Sequence, residues 1–317
     1  MAYQTGSYAS LNQLLDALRA FCVAHGWTMH RHNAHGNGMQ LSISKGGVFA
    51  HLKAANNENI IALAPEDQFF SAAHTGLLLQ VGNGYDASKA YAWQPGVLTL
   101  GFVSGIGSCK ALVWTSSLAA SGLYHFFSTP TTIYAVIEDA PGVFAYVGFG
   151  RLAPYGAGGN ARFAIGSQGI RQSLATRYPL CFGASTEVES TNAIIDSGAG
   201  WTMDFGSFPD ASNGHAILTM SPRISAAPSP SHDDHAIRRS APSAINGVRP
   251  LWPEIVVRNI AGVLRPLGAF PGLMRCNAAG LAPMSEMAAS QGTYRVAHIA
   301  DASYPADRYG VAFRTDM

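Results

Sequence analysis

The chain carries few charged side chains. Asp, Glu, Lys and Arg make up 12% of its 317 residues, about half the roughly 25% that is usual for soluble domains. The formal net charge is +1 and the 20 Lys and Arg residues are scattered, so we expect no nucleic-acid-binding surface, which needs clustered cations. We interpret the low charge as a surface that neighbouring subunits cover. A secreted or periplasmic protein, in which low charge is also common, is the alternative.

Long apolar runs and a secretory signal are also missing. The N-terminal MAYQTGSYAS has neither the basic segment nor the apolar core of a signal peptide. The longest apolar stretches, such as Gly96 to Val103, are strand-sized and interrupted by glycine, so we expect no membrane span. The cysteines lie far apart, which predicts buried free thiols and no zinc site. They are Cys22, Cys109, Cys181 and Cys276.

Two aromatic and β-branched runs, Thr132 to Ile137 and Val143 to Phe149, predict a β-hairpin. The connection between them, Glu138 to Gly142, contains Pro and Gly, as turns do. Both sets of alternating residues are apolar in the first run, so we expect the hairpin to be covered on both faces. A glycine-rich segment follows from Gly148, but Pro154 stands where the helix of a dinucleotide-binding loop would form. We therefore reject a phosphate-binding interpretation.

The remaining pattern indicates an α+β protein, predominantly antiparallel β with an N-terminal amphipathic helix and long loops. Ser10 and Gln13 form a capping-box signature before leucines at helical spacing, which predicts a helix from about Leu11 to His25. Short runs indicate an antiparallel meander; they are Gln40–Ile43, Gly47–Lys53, Asn59–Leu63 and Gly76–Val81. Because no domain boundary is evident, we treat residues 1–317 as a single domain. Later strands are predicted at Gly96–Val103, Lys110–Thr115, Gly122–Phe127, Leu251–Arg258, and a terminal pair, Gly292–Ile299 and Tyr309–Arg314.

Between Ser221 and Pro250 the composition changes to Ser, Pro and Ala, which predicts a long exposed loop or arm. The arm contains His232-Asp-Asp-His235, whose side chains suit a metal, but a mobile loop cannot supply the second shell of a preorganised site. We interpret it as a solvated loop tip. His30, His32 and His35 form another histidine group, which we interpret as a polar turn before a strand. We therefore predict no metal and no cofactor.

No catalytic constellation stands out in the sequence. Ser104 lacks the preceding glycine of a G-x-S-x-G elbow, and no cysteine has an activating environment. A pair of carboxylates is harder to recognise, because two acids can converge from anywhere in the chain. Nothing selects a pair here, so we predict a non-enzymatic protein. The acids considered are Glu138 and Asp139 in a turn, and Asp204 and Asp210 beside an aromatic loop.

Several short motifs stand in order along most of the chain. In the N-terminal half they are Ala2-Tyr-Gln-Thr-Gly6 ahead of Leu14-Leu-Asp16 and Leu18-Arg19, then Trp93-Gln-Pro-Gly96, and the strands and small-residue loop from Tyr134 to Gly156. In the C-terminal half they are Tyr178-Pro-Leu180 before Phe182-Gly183, then Ile245 to Val257, Gly268 to Gly272 and Thr293 to Val296. In this order the motifs resemble a family of virion structural proteins of tailed bacteriophages, the tail or tail-tip proteins.

The resemblance implies a non-enzymatic structural subunit of the virion, assembled in the host cytoplasm. Its expected place is a symmetric ring or sleeve of the tail, baseplate or collar, and its expected partners are copies of itself and other virion proteins. We predict that Arg151 and Arg162 offer directional bonds to a neighbour and that Tyr155 buries its ring there. Trp201 is the fourth candidate interface residue.

Two alternatives to a ring subunit remain open at this point. In a receptor-binding or cell-wall-acting tail-tip protein, Trp201, Phe205 and Phe208 would form a carbohydrate-contacting surface. A head-tail joining or capsid-associated protein would differ from the ring subunit only in its location. Both alternatives also belong to the virion.

Overall fold

Most of the described chain is antiparallel β-structure, and helix accounts for 9% of it. The computed structural model describes residues 2–63, 68–97, 99–103, 107–110, 113–115, 118–155, 161–169, 176–177, 193–196, 201–204, 215–218, 243, 247–260, 263–298 and 309–316. In chain order the elements are β1 Ala2–Tyr8, α1 Leu11–Ala24, β2 Thr28–His35, β3 Gly38–Lys45, β4 Val48–Leu63, β5 Gln68–Gly82, a 3₁₀ turn Tyr91–Trp93, β6 Thr99–Val103, β7 Gly107–Lys110, β8 Val113–Trp114, β9 Gly122–Ser128, β10 Thr132–Ala140, β11 Val143–Arg151, β12 Ala153–Pro154, β13 Arg162–Gly166, β14 Gln168–Gly169, β15 Thr176–Arg177, β16 Ala193–Asp196, β17 Trp201–Asp204, β18 His215–Leu218, β19 Trp252–Ile260, β20 Val263–Asn277, β21 Ser285–Ala289, β22 Gly292–His298 and β23 Tyr309–Arg314.

These strands form three sheets. The central sheet has the order β1-β9-β10-β11-β13-β16-β17. The meander sheet has the order β15-β14-β8-β5-β4-β3-β2, with β7 attached to β4 and β6 attached to β7. The C-terminal sheet has the order β18-β19-β20-β23-β22-β21, with β12 attached to β20.

The central sheet is the middle of three layers, because each of its faces is packed against another sheet. On one face Ile133 and Phe149 pack against α1 and the meander sheet. On the other face Phe163 packs against the C-terminal sheet, where its ring meets that of Phe270 edge-on at 4.7 Å between centroids. The Tyr134 hydroxyl on this face donates to a carbonyl oxygen across the layer boundary. Burial of apolar side chains on both faces is the main source of stability for this layer.

The predicted hairpin is present as β10 and β11, and both of its faces are buried as expected. Side chains from Thr132 to Ile137 are fully buried, with alternate residues on opposite faces. Strand pairing continues to Ala140 opposite Val143, so the turn is shorter than the predicted connection. Gly142 has a φ of +77°, a conformation that glycine adopts at little cost. Its N–H donates to the Glu138 carboxylate at 2.8 Å, which closes the turn.

The helix α1 begins with a variant of the capping box, in which the Gln13 side chain bonds the residue before the N-cap Ser10. The Ser10 hydroxyl accepts from the Gln13 N–H at 3.2 Å, and the Gln13 side-chain oxygen accepts from the Ala9 N–H at 2.7 Å. The helix ends at Ala24, where Gly26 follows with a φ of +80°. The leucine stripe is buried against the central and meander sheets. The predicted range ran one residue further, to His25.

The meander of antiparallel strands predicted between Gln40 and Val81 is present, but its strands are fewer and longer. The runs predicted at Gly47–Lys53 and Asn59–Leu63 are one strand, β4. The register of β4 on β5 shifts between Ala55 and Glu58, and Asn57 has a φ of +53°. Because Asn tolerates this left-handed conformation better than most residues, the strand passes through an Asn pair that resembles a turn in sequence.

One interpretation in this sheet was wrong: the segment with His30, His32 and His35 is not a turn. It is the strand β2, which pairs with β3 along its length. The polar composition suggested a turn, whereas β2 lies at the edge of the meander sheet, where a strand carries exposed polar side chains.

The C-terminal strands match the prediction in part. β22 and β23 pair antiparallel, as the terminal pair was expected to do. β19 also lies where a strand was predicted, with Pro253 near its start. The long strand β20 was not predicted, because Pro266 and Pro271 indicate breaks. Irregular register between β19 and β20 accommodates these prolines.

Two further expectations concern the membrane and the arm. None of the helices in the described ranges has the length and apolar character to cross a membrane. The Ser/Pro-rich segment Ser221–Pro250 lies almost entirely outside the described residues, which include only 243 and 247–250 of it. His232 and His235 are therefore not described.

Candidate subunit interface

Three of the four predicted interface residues lie in one row across the end of the central sheet. Arg151 of β11 is directly opposite Arg162 of β13. Arg162 is opposite Asp196 of β16, and Asp196 is opposite Trp201 of β17. Neighbouring strands are about 4.8 Å apart, so the row extends over about 15 Å. We call these four positions the end row; residues far apart in sequence meet there because the strands pair in this order.

Two arginines of the end row meet the β3–β4 turn of the meander sheet. Arg162 Nη1 donates to the Gly47 carbonyl oxygen at 3.0 Å. Arg151 Nη2 lies 3.1 Å from the position that a Cβ on residue 47 would occupy. Gly47 also has a φ of +80°, so both its conformation and its surroundings favour glycine. Arg162 was predicted to bond a carbonyl group of a neighbouring subunit. Its Nη1 instead bonds a carbonyl group of its own chain.

A third cation lies at the same turn. Lys45 Nζ donates to the His25 carbonyl oxygen at 2.7 Å, just beyond the end of α1. A cation there is favourable because the last carbonyl groups of a helix carry partial negative charge. We call Lys45, Arg151 and Arg162 the basic rim. All three are partly exposed, and the acidic residue Asp196 of the end row is directly opposite Arg162.

Tyr155 is the predicted interface residue with an exposed side chain. Its exposed fraction is 52%, and its backbone N–H donates to the Leu267 carbonyl oxygen at 3.4 Å. The preceding strand β12 pairs with β20, so the C-terminal sheet fixes the backbone beside this ring. Residues 156–160 of the glycine-rich loop lie outside the described residues. The side chain of Trp201 and residues 205 and 208 lie outside them too.

The three histidines of β2 and its end have separate surroundings. His30 Nε2 is 2.7 Å from the Ser44 hydroxyl, and its ring stacks on Tyr85. His32 lies 3.8 Å from the Asp16 carboxylate, and burial lowers its pKa. The pKa of His35 is also lowered by burial. Within the described ranges, no three His, Cys, Asp or Glu side chains come together as a metal site would require.

The acids Glu138 and Asp139 have structural bonding partners. Glu138 accepts the Gly142 N–H in the hairpin turn. The Asp139 carboxylate accepts the Ala119 N–H. Both carboxylates therefore satisfy backbone donors that would otherwise lack partners. The side chains of Asp204 and Asp210 are not among those described.

The thiols of the two cysteines whose side chains are described are free and buried, as predicted. They are Cys22 in α1 and Cys276 in β20. Burial raises the pKa of both thiols, that of Cys276 to about 12. A buried neutral thiol is a poor nucleophile, because the thiolate is the reactive form.

A buried polar layer on the outer face of the meander sheet was missed in the sequence. Ser42, His51 and Gln80 are direct neighbours across β3, β4 and β5, and each has an exposed fraction of 0%. Gln40 and Lys53 belong to the same face. We call these five side chains the polar layer. Their alternation with apolar residues was visible in sequence, but that pattern is typical of a solvated face.

The polar layer contains a serine–histidine contact and the lysine of a buried ion pair. His51 Nδ1 is 3.0 Å from the Ser42 hydroxyl, and burial lowers the pKa of His51 to about 3. The imidazole is therefore neutral, but nucleophilic catalysis needs a serine that a substrate reaches, and Ser42 has no exposed surface. Burial lowers the pKa of Lys53 to about 8, and the Glu58 carboxylate binds its ammonium group.

The interpretation of this site rests on the geometry of the chain itself. The residues that the structure brings together are the end row and the basic rim, and the exposed ring of Tyr155 follows four positions after Arg151. No protein-family model matches the chain, and no curated protein matches it.

Proposed function

We propose that the chain is a non-enzymatic structural subunit of a tailed-phage virion. It assembles with copies of itself, and with other tail proteins, into a ring or sleeve of the tail, baseplate or collar. The observation that carries the self-assembly is the end row, where Arg151, Arg162 and Trp201 lie in one row of paired strand positions, with Asp196 between the last two. The virion role follows from the resemblance of the ordered motifs. The α+β assignment and the single domain are part of the same proposal.

The basic rim supports a contact with a neighbouring copy. Arginine is enriched at interfaces because its planar guanidinium makes several directional bonds. The bond from Arg162 to the Gly47 carbonyl oxygen holds this guanidinium in place before a partner arrives. A side chain that is already ordered loses less conformational entropy on binding. A neighbour with carboxylates or backbone carbonyls at the matching position fits this rim.

Tyr155 supports the same contact by a different interaction. Its ring is 52% exposed, and an interface would cover its apolar surface while the hydroxyl keeps a polar partner. Tyrosine is one of the residues that carry most of the binding energy at interfaces. Its backbone N–H bonds the Leu267 carbonyl oxygen of β20, so the ring is presented from the C-terminal sheet.

The self-assembly is tested with Tyr155→Ala in the purified chain. We expect the dissociation constant of the assembly to rise by at least about tenfold, since loss of a central tyrosine costs more than about 1.4 kcal/mol. The matched control is Val143→Ala, which removes a 44% exposed side chain at the opposite end of β11. Sedimentation velocity measures assembly, and thermal unfolding checks that both variants fold. Equal assembly of the two variants contradicts the interface.

The virion role needs a separate experiment on particles. Antibody labelling in electron micrographs of purified phage should place the chain on a ring of the tail, baseplate or collar. Label at the portal end of the head would favour the head-tail joining alternative, and label at the distal fibres would favour the receptor-binding alternative. Absence of the chain from purified particles contradicts all three.

A further inference from the structure

The strand β1 forms one edge of the central sheet. Its seven residues pair with β9 in an unbroken register, and β9 is its only strand neighbour within the described ranges. In an antiparallel edge strand, every second residue points its N–H and C=O away from the partner. Gln4 on one face and Thr5 and Ser7 on the other are exposed. The middle of β1 is therefore accessible from both faces, with backbone donors and acceptors directed outward.

The strand itself lacks the features that usually prevent strand addition, and a charge from another element, the Arg295 guanidinium, lies over the Tyr3 ring on one face. The sequence of β1, AYQTGSY, contains no charged residue and no proline, and its pairing has no bulge. Natural edge strands are commonly protected by charges, prolines, bulges or short length. At seven residues, β1 is long enough to add another strand by main-chain hydrogen bonds.

The edge of the meander sheet has such protection. In β2 the register is interrupted between Met29 and Arg31. The Arg31 side chain is also bound to another segment of the chain, because its Nη1 donates to the Lys89 carbonyl oxygen at 2.6 Å. In the C-terminal sheet, the edge strand β21 carries Glu286, which pairs with Arg295 at 3.0 Å. The difference in protection distinguishes β1 from these two edges.

We propose that β1 is a docking edge for the β1 strand of a second copy of this chain, with the two strands antiparallel about a twofold axis near Thr5. Thr5 is the midpoint of Ala2–Tyr8, so this register pairs the whole strand. The contact joins the central sheets of two copies into one continuous sheet. It goes beyond the proposed function, because it is a second contact, at the edge of the central sheet opposite to β17 of the end row.

Self-complementarity is the reason to prefer a second copy as the occupant. In this register Tyr3 faces Ser7, Gln4 faces Gly6 and Thr5 faces its own counterpart, so no charge opposes itself. Cross-strand Thr pairs are favourable, and a twofold contact that uses the same patch on both subunits is the commonest form of homo-oligomer. The net charge of +1 adds little repulsion between copies.

A charge-reversal pair at Thr5 tests this contact in the purified full chain. We expect the wild type to dimerise with concentration in sedimentation equilibrium. Thr5→Lys and Thr5→Glu should each raise the dimer dissociation constant at least about tenfold, because like charges would lie directly opposite each other. An equimolar mixture of the two variants should restore the dimer. The matched control is Thr28→Lys, at an exposed threonine of the β2 edge, which should dimerise like the wild type.

Each other outcome overturns the proposal. A wild type that stays monomeric over the whole concentration range excludes the contact, and so does a Thr5→Lys dimer of unchanged strength. Loss of both homodimers without recovery in the mixture excludes a twofold axis at Thr5. If melting curves show that the charged variants do not fold, Thr5→Cys replaces them, and oxidation should give a covalent dimer. A monomeric wild type would contradict the Tyr155 assembly as well, whereas a Thr5→Lys dimer of unchanged strength would contradict only the β1 contact, so the two proposals are separable.

Discussion

The central sheet and the meander sheet bury their faces by different means. Both faces of the central sheet are apolar, as the alternating residues Ile133 and Tyr134 illustrate. The meander sheet is apolar only towards the central sheet, and its other face carries the polar layer. Near this polar layer the segment 83–97 is anchored by Gln94, whose amide donates to three carbonyl oxygens of that segment. Burial of a sheet face therefore does not require that its side chains be apolar, although both polar atoms of the Gln80 side chain are buried without a hydrogen-bond partner.

The two kinds of burial have different energetic consequences. Apolar side chains gain free energy roughly in proportion to the area removed from water. Buried polar and charged side chains pay a desolvation cost that their partners must offset. We therefore expect the central sheet to be sensitive to lost volume, and the polar layer to be sensitive to lost partners and to pH.

The largest effect is expected for Phe126→Ala in the central sheet. Phe126 is fully buried, and its ring stacks on Tyr124 with centroids 4.3 Å apart. Removing it leaves a cavity, and we expect the free energy of unfolding to fall by about 4 kcal/mol. Urea denaturation measures this change. The control Leu123→Ala, on the same strand but 46% exposed, should change it by no more than about 0.5 kcal/mol. Similar losses for both would contradict apolar burial as the main source of stability.

A smaller effect, with a characteristic rescue, is expected for the buried ion pair. Lys53→Met leaves the Glu58 carboxylate without its partner, so the free energy of unfolding should fall by about 3 kcal/mol. In the double variant Lys53→Met/Glu58→Gln no charge remains, and most of this loss should be recovered. Chemical denaturation of both variants, of Glu58→Gln and of the wild type gives a complete double-mutant cycle. A double variant as unstable as Lys53→Met would show that the lysine acts through packing and not through its charge.

The smallest effect at neutral pH, and the most specific, concerns His51. Burial lowers its pKa to about 3, whereas an unfolded chain takes up the proton near pH 6.5. The stability contributed by neutral His51 is thus complete above about pH 6.5 and is lost as the pH falls towards about 3. The slope from this residue is up to about 1.4 kcal/mol per pH unit.

His51→Gln should reduce the pH dependence of the unfolding free energy by this contribution. Denaturation series from pH 7 to pH 4 measure the slope. Ser42→Ala is the control, because it removes the hydroxyl partner but keeps the imidazole buried, so its slope should stay close to that of the wild type. An unchanged slope in His51→Gln would mean that another group causes the acid sensitivity.

The elements that could be predicted from the sequence are those with local signals. The capping box of Ser10 and Gln13 and the turn at Gly142 involve residues a few positions apart, and their bonds form as the patterns indicate. The alternation in the hairpin also predicted burial on both faces. In these cases the sequence neighbours are the spatial neighbours.

The elements that escaped prediction depend on distant residues. The end row exists because β16 and β17 pair beyond β13, an order that no local pattern contains. The polar layer has the alternation of a solvated strand, and its burial depends on residues outside the sheet, such as Tyr91, whose ring centre lies 5.7 Å from Lys53 Nζ. The sequence of β1 gives only a weak strand signal, because its small and polar residues do not alternate with apolar ones. Its place is fixed by pairing with β9.

The pairing of β1 with β9 also constrains the order of folding. The Tyr3 hydroxyl contacts the ring of His125, which is 122 positions later in the chain. During synthesis at about 5–20 residues per second, β1 therefore waits several seconds before its partner strand exists. Contacts of such large sequence separation form slowly, because the loop between them must first be closed. An uncharged strand is left unpaired for that time, so nascent chains on one messenger have an opportunity to pair through β1 before either sheet is complete.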